Sequence, residues 1–231
     1  GKGLPDNYIK EKASYEMAYI DFGFDVNIVK GHATVAVPGT LKGIELLLKR
    51  HGTMPLCDVV KPAINRAKKG FPMNKTIAGW LLCSSEKVQW HTEESKKLLS
   101  TNTGEIIPEG YLFKQSDLAN TLESFGRYGS DILYKGDIGD IYAKEMADNG
   151  GLVTKQDLEL YEAIIRKPLC YKYGQKVLYT NPAPSVGGAS LIAMLKMLSY
   201  YELQSIPTKK RITLIGKVIK HALHDPDRNG G

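Results

Sequence analysis

The chain has 231 residues, 42% hydrophobic and 24% charged, with a net charge of +6. That balance fits a folded chain with a sizeable core and excludes a disordered one; three cysteines are too few for a disulfide-held mini-scaffold. No apolar run reaches the roughly 18 residues that a membrane-spanning helix needs, so no membrane span is expected.

Taken in order, Gly1-Lys2-Gly3-Leu4-Pro5 lacks an apolar core segment and does not read as a signal peptide, although a processed chain would have lost one. Residues 1–30 alternate weakly and read as an arm or as edge strands, ahead of a helix-rich core over 31–231; the whole is read as one domain. Ala33–Val37 is a short strand or extended segment stopped by Pro38-Gly39. Thr40 then caps a helix with inner face Leu41, Ile44, Leu47 and Leu48, closed by His51-Gly52. A second helix runs through Val59, Val60, Ala63, Ile64 and Ala67, with Pro62 near its first turn and Gly70 at its end. Residues 73–105 show no clear period.

The helical period returns at Leu118, Leu122 and Phe125, with Ser116 as cap, and again at Ile138, Ile141, Tyr142 and Met146 before the stop Asn149-Gly150-Gly151. Thr154-Lys155-Gln156-Asp157 resembles a capping box with Asp in place of Glu. Two strands follow, Ala163–Tyr173 and Lys176–Thr180, joined at Gly174-Gln175. After Pro182-Ala183-Pro184-Ser185-Val186-Gly187-Gly188 a helix begins with inner face Leu191, Met194, Leu195 and Leu198. Helices early and strands late, in irregular alternation, point to an α+β or layered α/β class and not to a Rossmann series, and α+β is the class expected here.

Chemical motifs are sparse. Neither a dinucleotide nor a P-loop glycine pattern is present, and there is no GxSxG elbow. Gly187-Gly188 either offers backbone N–H groups to an anion or makes a connection too tight for other residues. Cys57, Cys83 and Cys170 have no CxxC spacing, and His221/His224 lack a third partner before Pro226, so no metal site is expected. Asp131, Asp137 and Asp140 read as a solvated face. Lys209, Lys210, Arg211, Lys217 and Lys220 form an acid-free run that reads as a solvated helix face beside a partner surface, with no nucleic-acid role expected.

Several stretches, in order, resemble the large subunit of the γ-glutamyltranspeptidase family of N-terminal-nucleophile hydrolases. They include Val35-Ala36-Val37-Pro38-Gly39-Thr40, His51-Gly52-Thr53-Met54-Pro55-Leu56, Asn149-Gly150-Gly151-Leu152-Val153-Thr154, Arg166-Lys167-Pro168-Leu169, Asn181–Gly188 and Asp225-Pro226-Asp227. The resemblance implies part of a four-layer αββα sandwich and a precursor that cuts itself into two chains. In such a pair the small subunit begins with the nucleophilic Thr, which takes the γ-glutamyl group from a small-molecule amide such as glutathione and passes it to water or an amine. No cofactor is implied, and the oligomeric state beyond the paired subunit and the compartment stay open. The family's Thr-His dipeptide is absent, so no catalytic nucleophile is assigned in this chain, which reads as a truncated or partial large subunit. The family's carboxylate-binding arginine is also missing; Tyr8-Ile9-Lys10-Glu11-Lys12-Ala13 is the best-placed match and puts Lys10 at that substrate-binding position, while Asp21-Phe22 also matches but is followed by Gly23. Lysine keeps the charge and loses the bidentate fork. The alternatives are a relative kept as a binding or assembly scaffold, or an acylase acting on a different amide.

Overall fold

A computed structural model describes residues 15–21, 25–84 and 90–223. They fall into two compact units, one up to Ala163 and one from Ile164 onward.

In the first unit, β1 (Glu16–Asp21) and β2 (Asp25–Lys30) form an antiparallel ladder with Glu16 opposite Lys30. A 3-10 turn, His32–Thr34, follows, then Val35 in extended backbone, and residues 35–39 carry no regular element before α1. The strand or extended segment expected at 33–37 is not a strand: Ala33 and Thr34 belong to the 3-10 turn and only Val35 is shown in extended backbone. Helix α1 (Thr40–His51) starts with Gly39 at the cap position and no side-chain cap, so Thr40 is its first helical residue and not its cap. Leu47 faces outward, against the expected inner face. Helix α2 (Leu56–Lys69) carries Pro62 well inside rather than in its first turn. That proline removes one N–H from the ladder mid-helix, and Gly70 ends the helix at φ +81, where a side chain would be strained.

Beyond it lie β3 (Phe71–Pro72), α3 (Lys75–Ser84), α4 (Glu93–Leu98), β4 (Leu112–Phe113), α5 (Ser116–Tyr128), α6 (Asp131–Tyr134), α7 (Asp137–Asp148) and α8 (Lys155–Glu159). The α2 and α5 helices make the most extensive helix pair, burying Val60 and Ala67 from one and Ala119 and Phe125 from the other. Gly126 allows this approach, since a Cβ there would stand 2.9 Å from Val60 Cγ2. Ser116 is the first residue of α5 and does not cap it, and Ile141 of α7 points to solvent. One core gathers Leu133, Tyr134, Met146, Val153 and Leu158; a second gathers Met73, Leu81 and Ile107. The capping box at Thr154 forms as expected, with Thr154 Oγ1 accepting from the Asp157 N–H at 3.2 Å and Asp157 Oδ2 accepting from the Thr154 N–H at 2.8 Å.

In the second unit, β5 (Leu169–Tyr173) and β6 (Lys176–Thr180) pair around Gly174-Gln175. Residues 163–168 are not strand; Pro168, which has no N–H to give a ladder, stands just before β5. Helices α9 (Val186–Leu198) and α10 (Thr208–Leu223) follow and pack against each other, and α10 buries Val218 and Ala222. Mixed helix and short antiparallel strand is the expected α+β class, and among the described residues every strand belongs to a two-stranded ladder.

Candidate functional site

In the first unit the segment before α1 is locked from below. Tyr134, wholly buried, donates its hydroxyl to the Pro38 carbonyl and stacks on Tyr161 with ring centres 5.5 Å apart and planes at 8°. The Lys42 ammonium lies 4.9 Å from the centre of the same ring. Gly39 is needed here because a Cβ would fall 2.1 Å from the Tyr161 hydroxyl. Glu45, on α1, accepts from the backbone N–H of buried Ser130 at 2.6 Å and from its hydroxyl. These residues hold a turn; none is poised for bond-making.

Two expectations follow. Glu45→Ala should lose about 1–3 kcal/mol of stability, because the buried Ser130 donors are left without an acceptor; urea denaturation of the variant checks it, and an unchanged midpoint would remove Glu45 from the anchor. Burial, opposed by a backbone hydrogen bond from Lys42 and aided by Tyr161 and Glu45, raises the Tyr134 phenol above its ordinary 10; burial does the same to Tyr142. Since the folded state holds these protons more tightly than the unfolded chain, their contribution is complete below about pH 10 and is lost as pH rises toward the folded values. Stability should therefore fall on the alkaline side, and Tyr134→Phe should flatten the fall; equal slopes in both proteins would refute the assignment.

In the second unit, β6 delivers Thr180 and Asn181 to the turn Pro182–Ser185, whose Ala183–Pro184 peptide is cis. Arg166 Nη1 donates to the Ala183 carbonyl at 2.6 Å and ties this turn ahead of α9. Together Arg166, Tyr179, Thr180, Asn181 and Ser185 line an open recess of about 700 Å³. Guanidinium, amide and hydroxyl groups suit it to hold a polar or anionic group. Among the described residues its lining holds no histidine, lysine or cysteine. The Gly187-Gly188 pair divides its work. Gly188 is the tight connection, with a Cβ falling 2.2 Å from the Asn181 carbonyl oxygen, whereas Gly187 meets nothing within 4 Å.

Lys10, Asp225–Asp227 and His224 lie outside the described residues. His221 is exposed on α10, and Lys209, Lys210, Lys217 and Lys220 are exposed on the same helix. Asp131 pairs with Lys135 at 3.2 Å and Asp140 with Lys155 at 2.8 Å, both carboxylates exposed, in keeping with a solvated face. Sequence reasoning missed Arg166 as the anchor of the 182–185 turn, although it stands in the Arg166-Lys167-Pro168-Leu169 motif. It also missed His32, whose Nε2 stands 3.3 Å from Glu145 Oε1.

A model of the family described as gamma-glutamyltranspeptidase matches residues 9–230. The chain is 37% identical over 173 residues to the glutathione hydrolase proenzyme of Escherichia coli K12, covering 75% of this chain and 30% of that protein. It is 31% identical over 227 residues to an acylase ACY 1 proenzyme of Pseudomonas sp. V22, covering 97% of this chain and 40% of that protein. The crystal structure of Helicobacter pylori gamma-glutamyltranspeptidase superposes with a TM-score of 0.79 at 26% identity, covering 94% of this chain and 70% of that one. The chain belongs to the gamma-glutamyltranspeptidase family and has the corresponding N-terminal-nucleophile hydrolase fold. It spans about a third of the length of the curated relatives it matches.

Proposed function

We propose that this chain is the large-subunit portion of an enzyme that cleaves γ-glutamyl amides and transfers the γ-glutamyl group to water or an amine. The match along nearly the whole chain to a family whose relatives include glutathione hydrolase proenzymes carries this reading. The nucleophile in it is the N-terminal threonine of a second chain cut from the same precursor; its hydroxyl attacks the γ-carbonyl, its α-amine takes the proton, and the amine leaves. The present residues serve as scaffold and supply substrate contacts. The second unit supports a covered surface: Val218 and Ala222 are its buried hydrophobics among the described residues, while Tyr200, Ile164, Tyr179 and Ile212 stand exposed.

Lys10 is the substrate contact in this reading, holding the α-carboxylate of the γ-glutamyl group as a point charge. Lys10→Arg should then lower KM for a γ-glutamyl anilide about tenfold, the worth of one added charge-assisted hydrogen bond, with kcat little changed. An unchanged KM removes Lys10 from the site.

A second reading, an acylase for a different amide, is favoured by the acylase relative matched over 97% of the chain and by lysine in the arginine's place. Intact-mass analysis under denaturing conditions with N-terminal sequencing, followed by turnover of a γ-glutamyl and an aliphatic-acyl anilide, separates the readings. A second chain beginning with Thr and turnover of the γ-glutamyl substrate supports the first. Turnover of the acyl substrate alone supports the second. An uncut precursor, or an idle two-chain protein, leaves a scaffold without catalysis.

A further inference from the structure

Asn149 stands immediately before Gly150, and this is the one Asn-Gly pair among the described residues. The pair is chemically labile, because Gly150 has no Cβ to shield its backbone nitrogen from the side-chain carbonyl carbon of the asparagine before it. In the fold this pair ends α7. Asn149 is the C-terminal cap at φ −113 and ψ 18, Gly150 follows at φ +72, and the Gly151 N–H donates to the Met146 carbonyl at 2.7 Å. A left-handed glycine followed by this backward bond is a Schellman stop, and it fixes the backbone on both sides of the labile bond.

The side-chain amide is held as well. Asn149 Nδ2 donates to the Glu145 carbonyl and to Glu145 Oε1, both at 2.9 Å, and only the NH₂ end of an amide can serve two acceptors. Glu145 Oε1 also lies 3.3 Å from His32 Nε2. Closing a five-membered imide needs the Gly150 nitrogen on the same side of the Asn149 Cα–C bond as Cβ, and at ψ 18 it is turned away. Bringing it round moves Gly150 and Gly151 out of the stop. Beside the amide, a polar cavity of about 640 Å³ lined by His32, His91, Thr92, Glu94, Glu145 and Asn149 gives water access to the same carbon.

We propose that Asn149 is a deamidation site gated by the end of α7: closed, the stop and Glu145 hold the reaction off, and opening lets it run. The step starts when hydroxide removes the Gly150 amide proton. The nitrogen then bonds to Asn149 Cγ, the Cγ–Nδ2 bond breaks, and the side-chain nitrogen leaves as ammonia with a proton taken from water. A second water opens the imide at either carbonyl, leaving aspartate or isoaspartate; the sum is one water in and one ammonia out. Both products replace a donor to Glu145 with a like charge one helical turn away. Isoaspartate also adds a methylene to the backbone, so the end of α7 does not reclose as before. The proposal stands apart from the acyl-transfer reading, since its readout is a mass change in this chain and not turnover.

The test is peptide mapping of the full-length protein that contains this chain, incubated in mildly alkaline buffer with and without guanidinium chloride. A gain of about one dalton on the peptide carrying Asn149, with isoaspartate counted by methylation, reads the reaction apart from Asn229-Gly230, the same pair outside the described residues. The unfolded chain should convert at Asn149, and the folded protein should do so more than about tenfold more slowly, because only the opened fraction reacts. Glu145→Ala should speed the folded protein by about fivefold or more and leave the unfolded rate unchanged. Lys144→Ala, which cuts the neighbouring pair with Asp148, should match the parent. Equal rates folded and unfolded, or no conversion at Asn149 in the unfolded chain, overturns the site. An inert Glu145→Ala, or a Lys144→Ala as fast as Glu145→Ala, overturns the gate. The comparison of folded with unfolded protein needs no variant, so it decides the matter even where Glu145→Ala fails to fold.

Discussion

Tyr134→Ala should lower the free energy of unfolding by about 3–5 kcal/mol, the range for deleting a buried aromatic side chain. The ring is wholly buried, stacked on Tyr161 and approached by Lys42, and its hydroxyl satisfies the Pro38 carbonyl. Alanine leaves a cavity beneath the Pro38-Gly39 turn and also frees Tyr161, whose hydroxyl occupies the space that a Cβ at Gly39 would take. Tyr134→Phe keeps the ring and deletes only the donor, so its loss should be about 1–2 kcal/mol. Urea denaturation of both variants at neutral pH separates the terms. If alanine is no worse than phenylalanine, the ring does not anchor the core.

The second large effect concerns neighbouring glycines in the first turn of α9. Gly188→Ala sets a methyl 2.2 Å from the Asn181 carbonyl oxygen and 2.7 Å from Thr180 Oγ1, and the first of these is backbone that cannot rotate away. The loop between β6 and α9 must shift, at a cost of about 1–3 kcal/mol or more. Gly187→Ala meets open space and should be neutral or stabilise by up to about 1 kcal/mol, because alanine is the better helix former. Thermal unfolding of the two single variants reads the contrast directly, and equal shifts would mean that the packing of α9 against Asn181 is not as described.

How far the sequence speaks for itself varies with the element. Helices α5 and α7, the Thr154–Asp157 box and the Gly174-Gln175 hairpin were legible, because each carries a strong local signal: a sustained period, a cap, a glycine turn. Helix α3 was not, since Ile77, Trp80, Leu81 and Leu82 run around the helix and leave no polar face to mark a period. Helix α4 is six residues long, and its box uses Ser95 where a Glu or Gln would be looked for. Leu47 and Ile141 fit the helical period yet face outward, because periodicity marks an apolar stripe without saying how wide the covered part is. Of the sites, the family motifs lead to the Pro38-Gly39 turn and the Asn181–Gly188 loop. Nothing local joins His32, His91 and Glu145, which only the folded chain brings to one cavity.

With all ladders two-stranded, each of the six described strands is an edge, showing one row of N–H and C=O groups with no mate. Two-stranded ribbons are marginal alone, and open edges recruit whatever extended chain is near. Produced alone, these residues should be prone to edge-to-edge aggregation; on the reading proposed above, soluble yield should rise when the second subunit is made on the same polypeptide. Emerging from the ribosome, such a chain would spend its first seconds as an unfinished template, and if the proposed pairing holds, that favours making both subunits as one chain over assembling separately made ones.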